Sequence, residues 1–165
     1  MIENSFYINK YLSDFVLTYS FKEDMVNQES KIKQIHQLTT DETRPLFGIK
    51  GDYGLYATRE WWDSIDKGLI KIEIHIGLIT KTFKSGQDNV KKDNTFTFIS
   101  LIDRKSYDES IYCFNNGDYS FFKEGHFIFI VYALDELKMS AENNIQYSKT
   151  VLEMAVTKNK DCVVS

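Results

Sequence analysis

The rhythm of apolar and polar positions changes several times along the chain, and each change marks an element. Phe15-Val16-Leu17-Thr18-Tyr19-Ser20-Phe21 has the β-branched and aromatic content of a strand. From Glu23 to about Leu38 the spacing turns helical: Met25, Ile32, Ile35 and Leu38 fall near one stripe, with acids in the first turn. Thr39–Arg44 is a polar connector leading to Pro45, the only proline. Gly48, Gly51 and Gly54 then punctuate a loop. It lacks the Gly-Lys-Ser/Thr ending of a P-loop and the spacing of a dinucleotide fingerprint, so it reads as a turn that needs positive φ angles. A short helix follows, capped by Thr58, with Glu60 in its first turn, Trp61 and Trp62 inside it and Gly68 as its stop.

From Leu69 onward the pattern is β. Ile70, Ile72, Ile74 and Ile76 alternate with Lys71, Glu73 and His75, which predicts a half-buried strand with one aliphatic face. The phase slips beyond Gly77, so that Ile79 and Phe83 fall on odd positions. A glycine at a phase change predicts a bulge in one long, bent strand. Gly86, Asp88 and Asn89 mark the next turn. Further strands are expected at Thr95–Leu101, at Ser110–Phe114 before the turn Asn115-Asn116-Gly117, at Phe127–Leu134 and at Thr150–Val156. Phe127–Leu134 is apolar on both faces, as a central strand is. Asp118–Gly125 holds a short helical turn, and Ser140–Asn144 is a polar loop. The fold class expected is α+β, mainly β: a five-stranded antiparallel OB-like or SH3-like small barrel, with an N-terminal strand and helix extension over residues 1–45 and a short Trp-Trp helix. The barrel would occupy residues 46–158, and residues 159–165 would form a flexible tail.

Composition agrees with one ordinary domain. The chain has 165 residues, 42% hydrophobic, 27% charged and 15% aromatic, enough to bury a core without disulfides or metal. The net charge of −4 argues against a protein whose main ligand is a phosphate backbone or an anionic membrane. Cys113 and Cys162 are far apart and form no CxxC motif, so both are expected as reduced thiols. Met1–Tyr19 lacks the basic start and clean apolar stretch of a signal peptide, and no run is long enough to span a bilayer, so the protein is expected in the cytoplasm.

Candidate chemistry is sparse. His36, His75 and His126 have no metal-ligand spacing and read as surface or boundary residues. Cys113 and His126 could meet at one barrel end, with Asp118 as orienting group, but a buried thiol is the better reading. Glu60, Asp63 and Asp66 share one broad helical face, with Arg59 and Lys67 as neighbouring cations to pair with, and are expected to form an acidic surface rather than a cation site. No catalytic residue, metal or cofactor is expected. A nucleic-acid reading would use Phe96, Phe98, Phe127, Phe129 and Tyr132 as stacking rings, with Lys81, Lys84, Lys91, Lys92, Arg104 and Lys105 as charge. Against it, a chain of this size needs those rings in its core.

The run Gly54-Leu55-Tyr56-Ala57-Thr58-Arg59-Glu60-Trp61-Trp62-Asp63-Ser64-Ile65, with the later Ser148-Lys149-Thr150-Val151-Leu152-Glu153, resembles a signature of uncharacterised bacterial small β-barrel proteins. The resemblance covers roughly Leu46 to Lys158 and implies a fold and a bacterial origin. Two adjacent tryptophans on a short helix cannot both point inward, so one is expected at a rim. In general character the chain also resembles bacterial immunity proteins that neutralise toxins.

The function expected is therefore a non-enzymatic protein-binding module, most concretely an immunity protein that blocks a cognate toxin. The alternative is an OB-type single-stranded nucleic-acid-binding protein. The partner surface is expected to include Glu60, Trp61, Asp63, Asp103, Tyr107, Asp108, Glu109, Tyr112, Asp118 and Tyr119, with Asp135 and Glu136 as further acids.

Overall fold

A computed structural model describes residues 8, 14–86 and 91–160. The turn residues Asp88 and Asn89, and Cys162 with the tail from residue 161, lie outside the described residues. Six strands, β1 (Phe15–Ser20), β2 (Lys71–Phe83), β3 (Thr95–Ser100), β4 (Ser106–Ser110), β5 (Phe127–Glu136) and β6 (Tyr147–Thr157), form one sheet in the order β1-β6-β5-β2-β3-β4. β1 runs antiparallel to β6, β2 to β3, and β3 to β4. The helices are α1 (Phe21–Asp24), α2 (Glu29–Thr40) and α3 (Arg59–Asp66). The protein is thus mainly β with few helices. The N-terminal strand β1 is a member of the sheet, so the described residues hold six strands where five were expected.

The chain makes two compact units. One holds β1, Ile74–Val131 and the described chain from Leu152 on; the other holds Phe21–Glu73 and Tyr132–Val151. In the first unit the core is aromatic and aliphatic. Phe96 and Phe98 of β3 are essentially fully buried, and Phe96 packs on Phe122 at 5.7 Å. Phe129 meets Phe15 edge-on at 6.0 Å. In the second unit Trp61 is the centre of a ring cluster, 5.2 Å from Tyr56, 6.0 Å from Phe21 and 4.9 Å from Trp62. Trp61 is buried and Trp62 only half-buried, so the two tryptophans do not both point inward. Burying rings of this size is worth several kcal/mol each, of the order of 3–5 kcal/mol on truncation to alanine.

Several elements stand where the pattern placed them. α3 begins after Thr58, whose hydroxyl accepts the Trp61 N–H at 3.4 Å, and ends before Gly68. Gly48, Gly51 and Gly54 have φ of +85°, +71° and +112°, the left-handed region that only glycine enters without strain. β5 is central, between β6 and β2, and Ile128–Ala133 is buried on both faces.

Three expectations are corrected. The helix expected from Glu23 is interrupted: α1 passes into a 3₁₀ turn at Met25–Asn27 before α2 starts at Glu29. The third strand is Ser106–Ser110 and not Ser110–Phe114. An edge strand with an exposed face has no need of an apolar run, so its Ser-Tyr-Asp-Glu-Ser sequence carries little strand signal. In β2 the buried positions are His75, Gly77 and Ile79, while Ile72 is 37% exposed, the reverse of the face read from the isoleucine spacing. The register irregularity falls between Ile79 and Lys81, past Gly77.

Candidate functional site

In the first unit, β3 holds β4 through the pairs Phe98↔Tyr107, Thr97↔Asp108 and Phe96↔Glu109. Side chains alternate across this ribbon. Tyr107 lies on the inner side, where its ring stacks on Phe98 at 5.6 Å and sits 4.9 Å from the His75 ring. Asp108 lies on the outer side, exposed, and accepts the Thr97 hydroxyl at 2.6 Å. The turn entering β4 presents Asp103, which accepts the Tyr107 hydroxyl and the Lys105 backbone N–H. The Tyr107 hydrogen bond, then that of Lys105, holds the Asp103 carboxyl below its ordinary range. This carboxylate stays ionised at neutral pH. Its stabilising contribution is present above the unfolded chain's pKa and is lost as pH falls through the lower folded value. Asp103, Tyr107, Asp108 and Glu109 are therefore brought together along one sheet edge.

Tyr112 lies just beyond. It packs on Tyr19 at 4.8 Å, and burial, then the nearby Glu109, raises its phenol above the usual range. Of the last two expected residues of this unit, Asp118 and Tyr119, the second stands beside lysines. Tyr119 lines a cavity of about 430 Å³ with Lys91, Lys92, Ile111 and Cys113. The Lys92 ammonium sits 4.1 Å from the Tyr119 ring centre. This corner is not purely acidic, a mixture that the spacing of Asp118 did not reveal.

In the second unit, Glu60 and Asp63 are exposed on α3, and no ion pair joins them to Arg59 or Lys67. Trp61 is fully buried and faces inward. Its indole N–H donates to both oxygens of Asp135, at 3.0 and 3.3 Å. Asp135 is 7% exposed, so it is not the surface acid expected of it. Desolvation pushes its pKa up, and the Trp61 hydrogen bond only partly counters that. Asp135 also lines a cavity of about 200 Å³ with Tyr53, Leu69, Ile70, Tyr147 and the ion pair of Lys50 with Glu136 at 2.5 Å. Only Glu136 of the two further acids is half-exposed.

The remaining candidates for chemistry have structural partners. Cys113 donates its thiol to the Asn115 carbonyl at 3.0 Å. Burial pushes the thiol pKa up, the opposite of what a nucleophilic thiolate needs. His126 and His75 are buried, not boundary residues. His126 Nδ1 donates to the Thr157 carbonyl at 2.7 Å, and His75 Nδ1 bonds the Ser100 hydroxyl at 3.0 Å. His36 Nε2 donates to the Tyr56 carbonyl at 2.7 Å. No group of three or more metal-ligating side chains occurs among the described residues. Of the rings needed for nucleic-acid stacking, Phe96, Phe98, Phe129 and Tyr132 are buried and only Phe127 is half-exposed. Among the described residues no helix is long and apolar enough to cross a membrane.

No curated protein matches the chain. A family model described as immunity protein RhsI2 matches residues 15–157, which takes in all six strands and all three helices. The chain belongs to the RhsI2 immunity protein family.

Proposed function

We propose that this protein protects a cell by binding a cognate toxin directly and covering the surface with which the toxin acts, without catalysis of its own. The reading rests on the family match over residues 15–157. The geometry that supports it is the edge at β4, where Asp103, Asp108 and Glu109 stand beside the half-buried ring of Tyr107. Carboxylates at a rim steer a basic partner and set register, and a ring held by its neighbours anchors contact at little entropic cost. Glu60 and Asp63 on α3 extend the set of exposed acids. The net charge of −4 suits a toxin with a positive cleft. We place this action in the cytoplasm.

The fold reading that accompanies this is an OB-like, partly open barrel. Its five strands are β2 to β6, and β1 is added beside β6. The nucleic-acid function common on such barrels loses its support with the burial of four of its five rings.

The deciding experiment uses the toxin encoded by the gene adjoining this one. Co-expression of the two should restore growth that the toxin alone abolishes. Calorimetry on the purified pair should give one-to-one binding in the nanomolar range. Growth arrest that persists in the presence of well-expressed, folded protein would refute the reading.

A further inference from the structure

The two terminal strands of the sheet are treated differently. β1 is bonded on its open side by the chain that leaves β4. The Phe114 N–H donates to the Thr18 carbonyl at 3.0 Å, and the Thr18 hydroxyl donates to the Tyr112 carbonyl at 2.8 Å. β4 has no such cover among the described residues.

Register shows which backbone groups this leaves open. Ser100 N–H donates to the Lys105 carbonyl at 2.9 Å, and Ile111 N–H donates to the Asn94 carbonyl at 2.8 Å. Both contacts share the register of the β3–β4 pairs, and bonded pairs in an antiparallel ladder recur at every second residue. Tyr107 and Glu109 therefore bond inward to β3, and the N–H and C=O groups of Ser106, Asp108 and Ser110 point away. The Ser110 N–H is taken by the Glu109 carboxylate at 2.8 Å. The Ser106 and Asp108 donors and the three carbonyls have no partner among the described residues. All three residues are exposed.

Building on the immunity reading, we propose that β4 is a docking edge: the toxin adds a strand to it, with Lys or Arg at alternate positions facing Asp108. The backbone supplies a row of unpaired donors and acceptors, which is what strand addition uses. Charge selects the occupant. Arg104 and Lys105 lie in the turn before the strand, and β4 itself carries Asp108 and Glu109 with no cation. Those carboxylates deter a second copy of the same acidic strand and attract a basic one. Glu109 also closes the last donor, so the open stretch is short and its register is limited.

The test measures affinity and amide exchange with the toxin encoded beside this gene. Asp108→Pro removes an outward N–H and obstructs the edge without touching a β3–β4 bond, a position where an edge strand tolerates proline. Asp108→Asn keeps the backbone and removes the charge. The expected result is binding weakened about 100-fold or more by Asp108→Pro and about 10-fold or less by Asp108→Asn. In the wild-type complex the Ser106 and Asp108 amides should exchange at least about 10-fold more slowly than in the free protein. Unchanged exchange at both amides, or wild-type affinity in folded Asp108→Pro, overturns strand addition while leaving the immunity reading standing. If Asp108→Pro does not fold, exchange in the wild-type complex decides alone. A toxin that the wild-type protein ignores overturns both.

Discussion

Trp61 and Asp135 show how a single pair can govern the second unit. Among the described residues the indole supplies the only hydrogen bonds to a carboxylate that is 7% exposed. Trp61→Phe preserves most of the ring packing and removes the donor, leaving a buried acceptor unpaired. It should cost about 1–3 kcal/mol in urea unfolding. The same pair sets a pH dependence. Because burial raises the Asp135 pKa, the folded protein keeps a proton that the unfolded chain releases from about pH 4 upward. Stability from this residue is therefore fully present below that value and declines as pH rises through the raised one. Asp135→Asn should flatten the decline. Trp61→Phe, by removing the bond that lowers the pKa, should steepen it. Urea unfolding at several pH values between about 4 and 8 reads both, and three parallel slopes would refute the assignment.

At the scale of elements, glycine spacing and capping carry the clearest information. The Thr58 cap, the Trp-Trp segment and the Gly48, Gly51 and Gly54 turns were all legible in the residues, because each is decided by local backbone chemistry. Thr58→Ala should therefore cost about 1 kcal/mol by the same unfolding measurement. The β2–β3 register shifts just past Gly77, between Ile79 and Lys81, and Gly77 itself has a further role that the spacing did not reveal. A Cβ there would lie 2.6 Å from the Ile99 carbonyl oxygen and 2.6 Å from the Phe98 ring, so the glycine is needed for the close approach of β3 to β2. Backbone cannot yield as a flexible side chain does. Gly77→Ala should cost about 1–3 kcal/mol and lower the melting temperature by several degrees. An alanine variant as stable as the parent would mean that β3 shifts freely.

For the whole molecule, the relevant quantities are charge and where the sheet stops. An acidic protein that recognises a basic partner through rim carboxylates should associate fast at low salt and lose rate as salt screens it. Asp103→Lys combined with Asp108→Lys should slow toxin association by at least about 10-fold, with a smaller change in the dissociation rate. Stopped-flow mixing at two ionic strengths separates these. An association rate indifferent to both the variant and the salt would remove electrostatic steering from the account.

What the amino-acid order determined by itself is local. A turn needs glycine where φ is positive, a helix start needs a side-chain acceptor, and Phe127–Leu134 is apolar because both of its faces are buried over most of its length. The family likeness, too, was legible as general character, since acidity and aromatic content are sums over the chain. Tertiary structure alone decided which face of β2 turns inward. Both faces carry apolar groups, and the inward one is chosen by how Gly77 lets β3 approach and how Ser100 receives His75. It alone showed that Asp135 is buried on Trp61, and that the polar segment Ser106–Ser110, not the apolar run after it, is the strand. A strand at the sheet's end is held by hydrogen bonds to one neighbour, and those bonds do not depend on which side chains it carries.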